Sequence, residues 1–288
     1  MDDSVLWPAL DYPAWRDTAL TLQLWTQIVG KIRLALTPWL NHSWQVPLYV
    51  SARGLTTGPI PTADREILEI EFDFHRHELL LRTSRGAYES FDLIRQDVAY
   101  FYLVTRIALR RLGLTVAINE LPNEMPDPVR FSEDHVHANY DPVYALRFWR
   151  ALIQADRVFK LFRSGFLGKA SPVHFFWGSF DLAVTRFSGR RAPPHPGGVP
   201  HLPDAVAREA YSHEVSSAGF WPGSDVFPRA AFYSYAYPEP PGYRTRAVPQ
   251  GAAFEPSLGE FILPYDVLRA ARDPDALLLD FLESTYAA

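Results

Sequence analysis

The sequence predicts an α+β protein built from two similar halves, each a helix, an antiparallel sheet and a closing helix. Three observations carry this. First, two helical segments share the grid L-x-x-W-x-x-[IL]-[IV]: Leu22, Trp25, Ile28 and Val29 in one, Leu146, Trp149, Leu152 and Ile153 in the other. The two tryptophans lie 124 positions apart (149 − 25). Second, each helix leads to a proline, Pro47 or Pro172, that opens extended chain rich in rings. Third, strand-like segments follow each helix in runs rather than alternating with helices, the pattern of segregated elements. A tandem pseudo-repeat follows from the shared order.

The first half starts at Pro13, a residue suited to a helix's first turn, and its apolar stripe runs through Ile32 to a stop at Thr37-Pro38. "PLYVSARGL" reads as a strand and "EILEIEFDF" as a half-buried one. "ELLLRTS" and "AYESFDL" flank "SRG", whose Gly86 suits a tight hairpin. A helix is expected from Asp97 to about Leu112, closed by Gly113, with "LTVAI" as a short strand behind it. Residues 123–140 are polar and proline-interrupted and read as a linker between halves 1–122 and 141–288. In the second half, Asp141-Pro142 opens the helix. "SPVHFFWGSFDLAVTRFSGR", "AYSHEVSSAGFW", "RAAFYSYAYP" and "GEFILPY" supply strands, and "PDALLLDFLESTY" a closing helix.

Composition narrows the function classes. A net charge of −5 over 288 residues offers no broad nucleic-acid surface. No apolar run reaches membrane-spanning length, and the N-terminus "MDDSVLWPAL" is acidic where a signal peptide is basic, so a cytoplasmic protein with no membrane partner is expected. There is no cysteine, hence no disulfide and no thiolate chemistry. No G-x-G-x-x-G, Walker loop, G-x-S-x-G or H-E-x-x-H occurs. Aromatic residues reach 14% and fall in clusters, which suits a ring-rich core, a ring-walled ligand pocket, or both.

The segment Ser171–Arg190 holds most of the candidate chemistry. It is too long for one strand, and Gly178-Ser179 is its natural break. Unbroken, it would set His174 and Asp181 roughly 23 Å apart at about 3.3 Å per residue; a turn would bring them face to face. Ser179, Asp181 and Thr185 share one parity, His174 and Arg186 the other. An acid on such an apolar strand demands a partner, and Arg186, Arg190 and Arg191 are the nearest cations. His75 and His77 stand two apart in a strand-like context, as strand-borne metal ligands do; His135 and His137 repeat the spacing in the linker, but no third ligand lies near and no metal site is assigned. His42 and the pair His213-Glu214 are isolated.

On "TLQLWTQIVGKIRL", "LYVSARGLTTGPIP", "SPVHFFWGSFDLAVTRFSGR", "GFWPG" and "FYSYAYP" the chain resembles a bacterial family defined as a conserved domain of unknown function. The resemblance covers nearly the whole chain. It brings no reaction, cofactor or catalytic residues, and it implies that the polar groups of these stretches belong to one shared feature. The expected function is an enzyme acting on a small polar or anionic molecule. Asp181, His174 and Glu214 would handle protons. Arg53, Arg186 and Arg190 would hold an anion, and Trp177, Ser179, Trp221, Tyr233 and Tyr235 would line a pocket between the halves. A non-catalytic small-ligand binder, a metal-binding protein and a partner-binding module are the alternatives. No cofactor or oligomeric state is indicated.

Overall fold

The computed structural model describes residues 6–199 and 202–288. Residues 1–5 of the acidic N-terminus, and 200–201 in the proline-rich loop, lie outside the described residues. Each half opens on a proline-started helix: α1, Tyr12–Leu36, and α3, Pro142–Ser164. Asp141 caps α3 by accepting from the amides of Val143 (2.8 Å) and Tyr144 (3.2 Å), donors that have no partner within the helix. Trp25 and Trp149 are both buried. Trp25 stacks on Phe101 of α2 (Val98–Arg111) at 4.7 Å, whereas the Trp149 indole donates to the Ser51 carbonyl at 3.2 Å.

Two six-stranded antiparallel sheets follow these helices. The first holds β1 (Tyr49–Val50), β2 (Gly54–Thr56), β3 (Ile60–Pro61), β4 (Ile67–Asp73), β5 (Glu78–Thr83) and β6 (Tyr88–Asp92), ordered β1-β2-β4-β5-β6 with β3 beside β4. The second holds β7 (His174–Phe176), β8 (Asp181–Arg191), β9 (His213–Trp221), β10 (Ala231–Tyr237), β11 (Ala253–Glu255) and β12 (Glu260–Pro264), ordered β7-β8-β9-β10-β12-β11. The sheets join edge to edge where Leu48 and Phe175 exchange both backbone hydrogen bonds, at 2.8 and 2.7 Å. The remaining helices are α4 (Asp204–Ala210), α5 (Tyr265–Arg269) and α6 (Pro274–Tyr286). No helix among the described residues is long and apolar enough to cross a membrane.

The second sheet's register decides where function can sit. Leu182, Phe220, Phe232 and Leu263 align across β8, β9, β10 and β12 and share one face. That face packs on the helices, with Phe159 of α3 meeting Phe232 at 6.2 Å, so the opposite face carries the residues of other parity. One apolar cluster runs through both halves, from Trp15 and Trp25 to Phe220 and Phe281.

Several local expectations change. "PLYVSARGL" is a hairpin, β1 and β2, rather than one strand, and residues 114–118 form no strand. β11 and α4 were not expected; both are short, with no periodic signal. Segment 123–140 is packed rather than free, with Met125, Phe131, Asp134 and Tyr140 buried. The Asp134 carboxylate accepts from the amides of Val136 and His137, both at 3.1 Å, which fixes the turn there. His75 and His77 lie in the turn between β4 and β5, so the strand geometry of a ligand pair is absent. His75 packs edge-on to Trp149 and His77 bonds to the Tyr140 hydroxyl at 2.9 Å.

The inter-half contact has a testable tight point. Gly30 lies mid-helix in α1, where alanine is ordinarily better by about 1 kcal/mol. A Cβ there would overlap the Trp177 indole, which is held by its hydrogen bond to the Val46 carbonyl at 2.9 Å. Gly30→Ala is therefore expected to destabilise the protein by about 1–3 kcal/mol, measured by urea denaturation. A gain in stability would show that the indole gives way.

Candidate functional site

The free face of the second sheet carries polar residues in register. Thr185, Ser217 and Tyr235 align across β8, β9 and β10, and Glu260 follows one step beyond the Ser234–Phe261 pair. The next row is Ala183, Gly219, Tyr233 and Ile262, and the next Asp181 with Phe176 on β7 and Trp221 on β9. Ala183 and Gly219 carry the smallest side chains of these rows, and the Tyr233 ring lies over Gly219. Trp221, stacked on Phe227 at 5.8 Å, walls one end of the crevice with Ile262 and Leu258. Tyr211 closes the other: its hydroxyl meets that of Tyr235 at 2.9 Å, and His195 stacks on its ring at 4.6 Å.

Asp181 lies at the bottom. Its carboxylate accepts hydrogen bonds from the Ser179 and Tyr233 hydroxyls, one on each oxygen. Tyr233 starts on β10, so its ring must cross β9 to reach β8. Gly219 is what lets it: a Cβ there would overlap the phenol. Glu124 comes from outside the sheet, its carboxyl lying where a side chain on Gly178 would be. Glu124, Tyr211, Tyr233, Tyr235 and Glu260 each keep an edge open to solvent, while Asp181 is buried beneath them.

A row on helix α1 sets Glu124 in place. Gln23, Gln27 and Lys31 are four residues apart and so share one helix face. Gln27 grips the backbone of Asn123 twice, donating to its carbonyl and accepting from its amide, both at 2.8 Å. Lys31 donates to the Leu121 carbonyl at 2.6 Å and Gln23 to the Gly178 carbonyl at 2.7 Å. Burial pulls the Lys31 ammonium down to about 8. The clamp holds Glu124 at φ 57° and the hairpin holds Phe180 at φ 62°, two non-glycine residues in the left-handed region. Such positions cost about 1–3 kcal/mol each and collect at functional sites.

The electrostatics are those of an uncompensated acid cluster. Burial and the charge of Asp181 push both Glu124 and Glu260 up to about 7. Burial raises Asp181 itself, against the two hydroxyl bonds that lower it. Tyr233 and Tyr235 are raised well above the usual phenol, by burial first and then by neighbouring acids and phenols. No cation contributes to any of the three carboxyls. The first sheet provides the contrast. Its buried carboxylates are paired, Asp73 with Arg53 at 2.8 Å and Glu71 with Arg82. Among the described residues no group of three His, Asp or Glu side chains is set to hold a metal ion.

The structure thus brings together Asp181, Ser179, Tyr233, Tyr235 and Trp221, and separates the other sequence candidates. Arg53 is spent on Asp73 in the first sheet. Arg186 has the parity of the helix-packed face, lies 3.4 Å over the Phe162 ring and pairs with Glu283 at 3.2 Å. Arg190 pairs with Glu214 at 2.8 Å on an exposed strand end, which also removes Glu214 from the crevice. Trp177 lies under α1. His174 pairs with Ala183 and so shares the sheet face of Asp181, but Phe176 rather than His174 stands opposite the acid, and the buried imidazole packs on Phe176 and Trp44. His135 and His137 pair with Asp97 and Asp134, both at 2.8 Å. The expected pocket between the halves is a different feature: a depression of about 460 Å³ at the starts of α1 and α3, whose Arg16 and Arg95 are occupied by Asp225 and Asn139. A second depression, of about 380 Å³, lies beside Arg190 and Pro238. Glu124 and Glu260 were missed by sequence reasoning. Glu260 had a readable signal, the parity opposite to Phe261 and Leu263 on a strand; Glu124 had none.

A pH dependence follows with a definite sign. Glu124 and Glu260 have folded values near 7, above the ordinary 4.5. The folded state then binds more protons than the unfolded chain between those values, so stability is greatest below about 4.5 and is lost as pH rises through about 7. Each group accounts for a loss of about 3 kcal/mol across that range. Glu260→Gln should flatten this slope, measured by chemical denaturation across the range. Gly178→Ala should do the same by pushing the Glu124 carboxyl toward water. Unchanged slopes in both variants would refute the assignment.

No curated protein and no solved structure matches the chain. Residues 7–288 match the family of unknown function DUF5996, a span that takes in both sheets, α1 and the whole crevice, and the chain belongs to that family.

Proposed function

We propose that the crevice is an acid–base active site for a small polar molecule. The carrying observation is the set of three carboxyls, Asp181, Glu124 and Glu260, gathered without a cation on the face of the second sheet opposite its helix-packed side. Glu124 and Glu260, pushed up to about 7, exchange protons readily at neutral pH, which is the property a general acid or base needs. In this reading Asp181, oriented by Ser179 and Tyr233, accepts the proton or attacks. Glu124 and Glu260 act as proton donor and acceptor on either side, and Trp221, Tyr233 and Tyr235 present ring faces to the ligand. With Arg53, Arg186 and Arg190 engaged elsewhere, a neutral hydroxyl-bearing or cationic molecule fits better than an anion. We take the protein to be cytoplasmic, with a small-molecule ligand and no nucleic-acid partner. A second reading, a non-catalytic binder, draws on the fact that both Asp181 oxygens already accept hydroxyls.

The test is Asp181→Asn in a turnover screen of neutral and cationic metabolites followed by NMR. Because no arginine would be stranded, the variant should keep or raise the melting temperature while turnover falls about 10²–10⁴-fold. Ligand binding by the wild type with no turnover of any bound compound would favour the binder. A large loss of stability with turnover retained would contradict both roles of Asp181.

A further inference from the structure

We propose that the outer side of helix α2 is an interaction surface for a second copy of this chain, which packs its own α2 there antiparallel about a two-fold axis. The helix is covered on one side only. Val98, Phe101, Thr105, Ala108 and Leu109 are buried, and Phe101 stacks on Trp25 and Phe72. On the other side Tyr100, Leu103 and Ile107 recur at steps of three and four, so they form one apolar stripe. Tyr100 is 53% exposed and Leu103 49%. Two more apolar side chains stand at the helix's start, Ile94 at 55% and Val136 at 80% exposed. Val136 is fixed beside the first turn because the amides of Val98 and Ala99 donate to the His137 and Asp134 carbonyls. Scattered exposed apolar residues are ordinary, whereas a group gathered along one helix marks a surface that binds something.

Charge identifies the occupant. The C-terminal end of α2 is basic, with Arg106, Arg110 and Arg111. Arg111 reaches Glu89 at 3.3 Å and Arg106 lies over the Tyr102 ring, while the Arg110 side chain has no partner among the described residues. The N-terminal end is acidic. Asp92, Asp97, Glu133 and the buried Asp134 outnumber Arg95, which is turned to Asn139 at 3.0 Å, and Arg130, 3.9 Å from Glu133. A basic end alone would suit any acidic partner. A basic and an acidic end on one stripe match the stripe's own reverse. With the two-fold axis between Leu103 and Val104, Tyr100 falls opposite Ile107 of the second copy and Arg110 opposite its Asp97. Asp97 caps α2 through the Tyr100 amide at 2.7 Å and bonds His135, yet its side chain stays 27% exposed and can accept again. A parallel pairing would set Arg110 against Arg110, and antiparallel packing also opposes the two helix dipoles favourably.

The surface shares no residue with the acid–base crevice, so either reading can fail alone. Sedimentation equilibrium of the full chain over a range of concentrations tests it. The wild type should reach a dimer mass, and the dimer should weaken as salt rises from about 0.05 to 0.5 M. Leu103→Asp and Arg110→Glu should each raise the dissociation constant about tenfold or more. The chain has no cysteine, so a short bis-maleimide should join two copies of Leu103→Cys, beside the axis, and not two copies of Val226→Cys, which is exposed elsewhere. That crosslink keeps the test sharp should a charged variant fold poorly. A wild type monomeric at every concentration, which would give the stripe to a different protein or to a membrane, would overturn the proposal. So would a dimer indifferent to Leu103→Asp or to salt, or equal crosslinking at the two cysteines.

Discussion

The burial of Asp181 without a cation is the constraint around which the second sheet is arranged. A carboxylate taken from water must be paired, hydrogen-bonded or protonated. Two hydroxyls do part of this, and each needs a special backbone feature. Ser179 bonds from within the tight β7–β8 hairpin, and Tyr233 reaches across β9 only because position 219 has no side chain. The remaining negative charge then acts on Glu124 and Glu260, which retain their protons to higher pH in response. A fold needing only stability would exchange this arrangement for apolar packing, since isolated buried charges are seldom net favourable.

The two halves put one scaffold to different uses. In the first, residues 51–54 separate the paired Val50 and Leu55; in the second, residues 177–180 separate the paired Phe176 and Asp181. The acid thus stands at the hairpin position that leucine occupies in the first half. There the sheet's own acids are neutralised by Arg53 and Arg82. The halves are nonetheless interdependent, because Gln27 and Lys31 of α1 hold the loop that delivers Glu124 to the second sheet.

Much of the architecture was legible locally. Helix periodicity located α1 and α3, alternation located β4, and ring-rich extended runs located β8 and β10, because those patterns depend on neighbours within a few residues. The site was legible in part. The shared parity of Asp181 and Thr185 pointed to one face, and the Gly178-Ser179 break to a hairpin. The arginines were assigned by proximity in sequence, although the parity of Arg186 already set it on the opposite face from Asp181. Arg53 found Asp73 through pairing between β2 and β4, which no local signal encodes. Glu124 was invisible because its placement rests on side chains of α1 some 96 residues away in sequence. A polar, proline-rich segment reads as a linker whether or not its backbone is clamped.

The central claim, that three carboxyls share one cation-free crevice, is most directly tested by ¹³C NMR titration of the Asp and Glu side-chain carboxyls in the wild-type protein. Two glutamates titrating near 7, with Asp181 above the usual aspartate range and coupled to both, is the expected result. Titration of every carboxyl below about 5, within the ordinary range, would contradict it.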